Sequence, residues 1–462
     1  MYDTLKNDKE NIEYLIKEFY ALSIKYLKEA NSRKVGISQP RFEKGFLPHD
    51  GKGFLRALEL FKQKFELYMS GSSSSRYFGF VTGGTTPASL LGDWITSLYD
   101  QNVANLGESC SSDITIETLS QLKELFELDD SFEGIFVSGA TMSNFVALAT
   151  AREWFGKHFG VNIAVEGLCK IPKKLSVLSA TPHSSIYKSL SMLGLGKNSV
   201  ELIETKKDAE AISLSDLESA LKRQNGTPCI VAANAGTVNT VDFDDIQEIA
   251  KLKERYNFWL HVDAAFGGFA KCSPKYKYLV EGLEKADSIT IDAHKWLNVP
   301  YDSAMSFTKH LPLQFEVFQN SAAYLQQNFS NDNFVHLTPE NSQRLRALPT
   351  WFSLNAYGYE GYREIVERNC ALAKEISLKI QNSEDFLLLS PVKLNGVCFT
   401  LSRKDVDMQT INNYIKKVNK KGKIFITPTI YKSKPALRIS ITNWQTQKED
   451  IEIAYEALRE AL

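Results

Sequence analysis

The chain has 462 residues, which predicts two to four structural units at roughly 100–200 residues per domain. Hydrophobic residues make up 43% of the chain and charged residues 24%, an ordinary globular composition that excludes disordered and fibrous proteins. The 54 Lys and Arg residues nearly balance the 55 Asp and Glu residues, so no global field favours nucleic acid or an anionic membrane as a partner.

Targeting signals, cysteines and histidines exclude further classes of protein. The N-terminus is charged from its third residue, and no run of about 18 apolar residues occurs, so we expect a cytoplasmic protein with no membrane partner. The six cysteines form no CxxC pair, which favours free structural thiols. The seven histidines form no HExxH motif, so we expect no metal site.

The first part of the chain has apolar residues at helical spacing in residues 1–30 and 51–69. A serine-rich stretch at 71–75 has the composition of a linker but leads directly into the apolar segment RYFGFVTGG, so we interpret it as a loop inside the fold. Residues 1–75 are therefore predicted to form an N-terminal helical segment.

From about residue 134, short apolar runs alternate with helical periodicity. The predicted strands lie in GIFVSG, LSVLSA, CIVAANAG, FWLHVDAA and SITIDAHK, and helical patterns cover 142–156 and 244–255. Strands that alternate with helices require crossover connections. The sequence thus predicts an α/β large domain over residues 76–345, with a mainly parallel sheet.

The last part of the chain predicts a long helix near 346–382, followed by strands in FLLLSPV, GVCFTLS, KIFITPTIY and ALRISIT. The KSKP segment at 432–435 is interpreted as a hairpin turn, and Thr446 with Glu449 as the capping box of a final helix. Residues 346–462 are predicted to form a small α+β domain.

Polar residues follow several of the predicted strands, where ligands of open parallel sheets bind. Ser138-Gly139-Ala140-Thr141 joins a strand to a long helix, so backbone N–H groups and a helix dipole favour an anion there, most plausibly phosphate. A tight turn with Thr141 as the N-cap explains the segment about equally well.

Three further strand ends carry titratable side chains. Asp263 follows an apolar strand, where an ionised carboxylate needs a cationic or N–H partner; a structural ion pair is the alternative. Lys295 follows another apolar strand and can serve as a Schiff-base nucleophile, although an exposed loop lysine is commoner. His183 ends a third strand, and a lone histidine is more often structural than catalytic.

Considered together, these groups select a ligand. An anion cradle, a carboxylate, a lysine and an imidazole fit a phosphorylated, cationic ring that carries an aldehyde. Pyridoxal 5′-phosphate (PLP) has all of these features, whereas a nucleotide would leave Lys295 and Asp263 without roles.

Five ordered segments resemble the group II pyridoxal-dependent amino-acid decarboxylases, which include the aromatic-L-amino-acid and glutamate decarboxylases. These segments are SGATMSNFVALA (138–149), TPHSSIYKS (181–189), AGTVNTVDFDDI (235–246), HVDAAFGG (261–268) and DAHKWLNVPYDSAM (292–305). The resemblance implies an aminotransferase-like, fold type I large domain, PLP as cofactor, and a homodimer with its active site at the interface. In that homodimer, residues 1–75 are expected to contribute dimer contacts.

The resemblance also implies residue roles. Lys295 resembles the Schiff-base lysine, Asp263 the partner of the pyridine nitrogen, and His183 the imidazole on the ring. The remaining cofactor contacts that the family motifs imply are Ala140, Thr141 and His294 for the phosphate, Ala265 for the other ring face, and Thr237 as a support for Asp263 and the ring hydroxyl.

Substrate contacts are implied for Phe80, Thr82 and Arg438, and Tyr324 resembles the tyrosine of a mobile catalytic loop. A tyrosine at this position favours protonation of the substrate Cα after CO₂ has left. We therefore expect an amine rather than an aldehyde. The segment RYFGFVTGG is apolar, so an aromatic substrate is favoured. An acidic amino acid, recognised through Arg438 and Arg76, and an aromatic aldehyde synthase activity are the alternatives.

The chain departs from the aromatic members at one motif. They usually read NPHKW around the lysine, whereas this chain reads DAHKW, so that Asp292 stands where they have asparagine. The lysine and the histidine are retained, and PLP binding is still expected.

Overall fold

The computed structural model describes residues 1–37, 42–103, 109–320 and 333–462. The helices are α1 (Asp3–Glu10), α2 (Ile12–Glu29), α3 (Gly53–Lys64), α4 (Pro87–Tyr99), α5 (Ser111–Leu125), α6 (Ala140–His158), α7 (Ile163–Glu166), α8 (Ser184–Met192), α9 (Leu214–Arg223), α10 (Ile246–Lys251), α11 (Leu311–Phe318), α12 (Ala347–Gln381), α13 (Met408–Lys421) and α14 (Lys448–Arg459). The strands are β1 (Glu133–Val137), β2 (Val177–Ser179), β3 (Val200–Leu202), β4 (Cys229–Asn234), β5 (Phe258–Asp263), β6 (Ser288–Ile291), β7 (Ala304–Thr308), β8 (Phe386–Leu388), β9 (Gly396–Leu401), β10 (Thr427–Tyr431) and β11 (Lys434–Ser440).

The larger sheet has seven strands in the order β1-β7-β6-β5-β4-β2-β3. Strand β7 runs antiparallel to both of its neighbours, and the other strand pairs are parallel. Strands β4 to β7 are buried along their whole length, as expected where helices cover both faces of a sheet. The predicted α/β architecture is confirmed, but the sequence analysis missed β3 and β7.

The smaller sheet is antiparallel, with the order β10-β11-β9-β8. The predicted hairpin is confirmed, because β10 and β11 pair around Lys432 and Ser433. Both turn residues have positive φ angles (46° and 63°), which a two-residue hairpin turn of the right twist requires.

The predicted cap of the last helix is wrong by one residue. Gln447 is the N-cap of α14, and Asp450 completes the capping box. The Thr446 hydroxyl instead donates to the Ser75 carbonyl oxygen at 2.7 Å. A long-range contact therefore takes the side chain that local sequence assigns to the cap.

Residues 74–80 join the N-terminal part of the chain to the smaller sheet. The Phe78 N–H donates to the Phe425 carbonyl, and the Ser440 N–H donates to the Phe78 carbonyl. Ser74 and Ser75 are buried, and Ser75 Oγ donates to Asp450 Oδ1 at 2.9 Å. The serine-rich stretch is therefore a loop inside the fold, as predicted.

Helix α12 packs on both hydrophobic cores. Tyr362 and Val366 belong to the core of the larger sheet, whereas Ile376 and Ile380 belong to that of the smaller sheet. Gly358 interrupts its helical dihedral angles with φ 58°. Because one helix serves both cores, the domain boundary at residue 346 stays a prediction.

The N-terminal arm, here defined as described residues 1–37 and 42–69, contains α1, α2 and α3. Leu15 and Ser23 are the buried residues of these three helices. Large apolar side chains on the arm are exposed, most of all Phe46 (96%) and Leu47 (95%). Among the described residues, no helix is both long and apolar enough to cross a membrane.

Candidate active site

The carboxyl ends of the parallel strands and the start of α6 surround a cavity of about 420 Å³, a size within the range of small-molecule sites. Ten of the predicted site residues line this cavity: Phe80, Ala140, Thr141, His183, Thr237, Asp263, Ala265, His294, Lys295 and Arg438. Thr82 is not among the lining residues, and Tyr324 lies outside the described residues.

Helix α6 brings its N-terminus to one wall of the cavity. Gly139 precedes the helix, and a Cβ atom there would lie 3.3 Å from Cε1 of His294. The wall is thus formed by backbone at close range, next to Ala140 and Thr141 in the first turn. Backbone N–H groups and the helix dipole make this position suitable for an anion such as a phosphate.

Lys295 follows β6 and forms an ion pair that the sequence analysis missed. Its Nζ lies 2.8 Å from Asp292 Oδ2, and Asp292 Oδ1 accepts the Ala140 N–H at 2.6 Å. Asp292 is 2% exposed. The residue that distinguishes DAHKW from NPHKW therefore links the lysine to the start of α6.

His294 lies beside this ion pair. Its Nε2 is 3.6 Å from Asp292 Oδ1, and its ring stacks at 4.4 Å, centroid to centroid, on Tyr301. Burial lowers the pKa of His294, although the nearby carboxylate of Asp292 opposes that shift. A neutral imidazole can donate one hydrogen bond to an anion at the α6 terminus.

Asp263 ends β5 and is held by neutral donors. Its Oδ2 accepts from Asn144 Nδ2 at 2.9 Å, and its Oδ1 accepts the Ala265 N–H at 3.2 Å. The carboxylate is 8% exposed and lines the cavity. Neutral donors leave the negative charge of a buried carboxylate uncompensated, so a bound cation stabilises it. A protonated pyridine nitrogen is such a cation.

His183 is the N-cap of α8. Its Nδ1 accepts from the Ser185 N–H at 3.2 Å and lies 2.7 Å from Ser185 Oγ. Burial lowers the pKa of His183, and the Asp263 carboxylate partly offsets this shift. His183 is therefore a neutral, oriented imidazole at the cavity near neutral pH.

Two predicted contacts differ from their expected geometry. Thr237 lines the cavity, but its hydroxyl donates to Glu210 Oε2 at 2.5 Å rather than to Asp263. Thr82 is buried beside the cavity, where its Oγ1 lies 3.3 Å from the Tyr301 hydroxyl. Buried carboxylates compete for hydroxyl donors, and the sequence does not reveal which of them is nearest.

Arg438, on β11 of the smaller sheet, and Phe80 contact each other in the lining of the cavity. The Arg438 guanidinium donates to the carbonyl oxygens of Val238 (2.7 Å) and Phe80 (2.9 Å), and its buried Nε has no hydrogen-bond partner among the described residues. Burial lowers the pKa of Arg438. Phe80 is 58% exposed, and its ring centroid lies 6.1 Å from that of Phe425.

The second arginine considered for acidic substrates lies elsewhere. Arg76 forms an ion pair with Asp450 at 3.1 Å and donates to the Asn31 and Lys423 carbonyl oxygens. It does not line the cavity. Arg76 thus connects the N-terminal arm to the smaller sheet, and its predicted substrate role loses its basis.

Residues behind the cavity wall were missed by sequence reasoning. Asn144, Ser185 and His261 form hydrogen bonds that end on Asp263 and His183. Their signal in the sequence is weak, because a polar residue inside a helix or strand reveals neither its depth nor its partners. Within the described ranges, no group of three or more His, Cys, Asp or Glu is arranged to hold a metal ion.

The residues at the cavity fit PLP. The α6 terminus with Thr141 and His294 suits the phosphate, Asp263 suits the ring nitrogen, and Lys295 suits the aldehyde carbon. His183 and Ala265 are available for the ring faces.

Comparison with known proteins gives an independent result. The family profile described as the pyridoxal-dependent decarboxylase conserved domain matches residues 49–402. An aromatic-L-amino-acid decarboxylase of Bacillus atrophaeus is 28% identical over 388 residues, covering 81% of this chain and 78% of that protein. A 3,4-dihydroxyphenylacetaldehyde synthase of Aedes aegypti is 26% identical over 447 residues, covering 91% and 84%.

Solved structures share the fold. The structure of Oryza sativa TDC with PLP and tryptamine superposes with a TM-score of 0.88 at 20% identity, covering 98% of this chain and 97% of that one. Apo mouse CSAD superposes with a TM-score of 0.86 at 21% identity, covering 97% and 98%. At these identities, the similarity establishes the fold.

Proposed function

Because the chain belongs to the pyridoxal-dependent decarboxylase family and is thus a PLP-dependent carboxy-lyase, we propose that it converts an aromatic L-amino acid to its amine and CO₂. The observation that carries this proposal is the convergence of Lys295, Asp263 and His183 on one cavity whose outer wall includes the exposed ring of Phe80. Relatives named for aromatic amino acids support the same substrate class.

The cofactor, when bound, supplies an electron sink for the electron pair that CO₂ leaves behind. Asp263 holds the proton on the ring nitrogen, and this charge makes the sink effective. The first turn of α6, with Thr141 and His294, binds the phosphate and fixes the position of the ring. His183 and Ala265 would contact the two faces of the ring. These contacts would fix the orientation of the ring relative to the substrate carboxylate that leaves.

Lys295 must lose a proton before its amine attacks a carbonyl carbon. Asp292 Oδ2 lies 2.8 Å from Nζ, in position to accept this proton. The same carboxylate accepts the Ala140 N–H through its other oxygen. Asp292 therefore contacts both the start of α6, where the phosphate is proposed to bind, and the ammonium group of Lys295. This arrangement gives Asp292 a role that asparagine does not provide.

We assign Tyr324 as the residue that protonates the product carbon, on the resemblance of its segment to the family's catalytic loop. This protonation produces the amine. Because one relative is named as a 3,4-dihydroxyphenylacetaldehyde synthase, aldehyde is the alternative product, and we propose the residue at this loop position as the determinant.

Arg438 favours a second candidate, an acidic substrate. Arg438 is 7% exposed, and its guanidinium donates to two carbonyl oxygens of the described chain rather than to a carboxylate. A buried charge gains from an anionic ligand. This ligand is the α-carboxylate of any amino acid in the first candidate, and the side-chain carboxylate of glutamate, aspartate or cysteine sulfinate in the second.

We further propose that the protein is a homodimer with its active site at the subunit interface. The N-terminal arm supports this assembly, because its exposed apolar side chains, such as Phe46 and Leu47, need cover. More than half of the exposed large apolar side chains in the described chain lie before residue 70.

The test is a screen of the twenty amino acids and of 3,4-dihydroxyphenylalanine and cysteine sulfinate for CO₂ release by the PLP-loaded protein. Each active substrate is then assayed for amine, hydrogen peroxide and ammonia. We expect CO₂ and amine from tyrosine, tryptophan or 3,4-dihydroxyphenylalanine, with Lys295→Ala inactive and colourless after dialysis. Release from acidic amino acids alone would favour the second candidate, and stoichiometric peroxide and ammonia would overturn the amine product.

A further inference from the structure

One buried amide lies behind the cavity and contacts four polar side chains. Asn144 is fully buried on α6, one turn after its start. Its Nδ2 donates to Asp263 Oδ2 and to Ser185 Oγ, both at 2.9 Å. Its Oδ1 accepts from His261 Nε2 at 2.9 Å and from Thr290 Oγ1 at 2.7 Å. All four hydrogen-bonding positions of the amide are therefore used.

The chemistry of these groups sets the direction of each hydrogen bond. An ionised Asp263 only accepts, so the amide presents its NH₂ group to Asp263 and its oxygen to His261. His261 then donates from Nε2, and its Nδ1 accepts from Ser288 Oγ at 2.9 Å. Trp259 Nε1, which can only donate, supplies Ser288 Oγ at 2.8 Å. Every donor in this series points toward the cavity.

A branch of the same network reaches His183. Because Ser185 Oγ accepts from Asn144, its own proton is free for His183 Nδ1 at 2.7 Å. Nδ1 of His183 is then an acceptor, and the neutral ring carries its proton on Nε2. The amide thus acts on both groups that the proposed function places against the cofactor ring.

We propose that Asn144 is a positioning residue that orients the Asp263 carboxylate and, through Ser185, holds His183 in the tautomer protonated on Nε2. This inference rests on the roles proposed above for Asp263 and His183. One side chain then couples the group that charges the ring nitrogen to the imidazole on the ring face. His261 supports the amide from behind, where burial lowers its pKa to about 4 and keeps it neutral.

The two ends of the Asn144 amide have different surroundings, and its donor end is the one nearer the cavity. The NH₂ end of Asn144 contacts Asp263, which lines the cavity, and Ser185, which is bonded to a lining residue. The oxygen end contacts His261 and Thr290, which do not line it. An amide that served packing alone would be replaceable by any side chain of the same shape.

The experiment uses Asn144→Asp, which keeps the shape of the side chain but replaces its two donors with an acceptor. Ser185→Ala removes the His183 branch and leaves the contact with Asp263. The matched control is Asn395→Asp, since Asn395 is equally buried and donates to the Ile441 carbonyl at 3.1 Å, away from the cavity. Each protein is prepared with ¹⁵N-labelled histidine, and His183→Gln identifies the His183 signals.

The first measurement is the ¹⁵N chemical shifts of His183 in the cofactor-free protein at pH 8. The wild type is expected to show a protonated Nε2 and an unprotonated Nδ1. In Asn144→Asp the new carboxylate takes the Ser185 hydroxyl proton, which leaves the longer contact from the Ser185 N–H, at 3.2 Å, as the remaining donor to Nδ1. The population with the proton on Nδ1 therefore rises above its wild-type level, as it does in Ser185→Ala. The Asn395→Asp control keeps the wild-type pattern.

The second measurement is the rate at which PLP absorbance is lost on dilution of the loaded protein, together with kcat and KM. We expect Asn144→Asp to lose PLP about tenfold faster and to fall about tenfold in kcat, because a hydrogen bond to a charged group is lost. Ser185→Ala is expected to release PLP at the wild-type rate. Unchanged His183 signals and PLP release in Asn144→Asp, or equal changes in Asn395→Asp, would overturn the proposal.

The variants separate this proposal from its premise. If Asn144→Asp does not fold, the His183 signals of Ser185→Ala decide the branch on their own. If the protein does not decarboxylate aromatic amino acids, the histidine signals and the rate of PLP loss still report the network.

Discussion

The candidate active-site cavity and the N-terminal arm differ in the kind of side chain they hold and in how far those side chains are buried. Around the cavity, Asn144, His261 and Asp263 are buried, and each has hydrogen-bond partners from the same chain. In the arm, α1 and α3 contain no buried residue, and apolar rings and aliphatic side chains face outward. These three buried side chains of the cavity region are paired within the chain, whereas the arm has apolar surface to cover.

This difference separates two sources of stability. The polar groups of the cavity gain their order from hydrogen bonds in a low-dielectric interior, where an unmet partner is costly. The arm depends on the burial of apolar area, which a second subunit supplies in the proposed dimer. Substitutions in the first region should therefore change chemistry and pH dependence, and substitutions in the second should change association.

The largest effect is expected from Asp263→Asn, which removes the charge opposite the ring nitrogen. Loss of roughly 3–4 kcal/mol of transition-state stabilisation lowers kcat on the order of 10²–10³-fold. Single-turnover CO₂ release with saturating substrate measures this step. The exposed substitution Asp130→Asn is the control, and near-normal turnover in Asp263→Asn would remove the carboxylate from its assigned role.

The next prediction concerns the pH dependence of folding stability, which burial of His261 is expected to change. Its pKa is about 4 in the folded protein and about 6.5 when unfolded, so the unfolded chain binds more protons between these values. The stabilisation is complete above about pH 6.5 and is lost as the pH falls toward 4, by on the order of 3 kcal/mol.

Urea unfolding of the cofactor-free protein at a series of pH values checks this sign. The difference between wild type and His261→Gln isolates the histidine, because Asp244, whose pKa burial raises to about 6, acts in the opposite direction in both proteins. We expect the wild type to lose more unfolding free energy than His261→Gln between pH 7 and pH 5. Parallel curves would contradict the assignment.

The smallest effect is expected in the arm. Phe46→Ser should weaken the dimer about 10- to 100-fold, since burial of a large apolar side chain contributes about 1.5–3 kcal/mol. Sedimentation velocity over a dilution series measures the dissociation constant. Leu387→Ser is the control, because it makes the same kind of change at an exposed apolar side chain on β8 (52% exposed), and it should leave the dissociation constant unaltered. An active wild-type monomer would refute the dimer.

Local pattern was sufficient for much of the fold and for the residues at the strand ends. Alternating apolar runs and helical periodicity predicted β1, β2, β4, β5 and β6, and the motifs around Asp263 and Lys295 predicted the cavity side chains that follow them. These features are local, because a strand and the residue after it are adjacent in the chain. Strand β3 was missed because it is only partly buried and carries Glu201, so that no apolar run marks it in the sequence.

The tertiary structure decided the hydrogen-bond and ion-pair partners of individual side chains. Thr446 bonds Ser75 instead of capping α14, Thr237 bonds Glu210 instead of Asp263, and Arg76 pairs with Asp450 away from the cavity. Each of these hydroxyls or charges could satisfy its hydrogen bonds locally, and the choice depends on which group folding brings within hydrogen-bond distance.

The sequence by itself therefore determined the fold class, the cofactor and most of the predicted side chains that line the cavity, since those depend on residue type and spacing. Only the tertiary structure decided that Asp292 holds Lys295 and that Asn144 joins Asp263 to His183. These contacts connect residues far apart in the chain, and hydrogen bonds depend on distances and angles that spacing along a sequence does not encode.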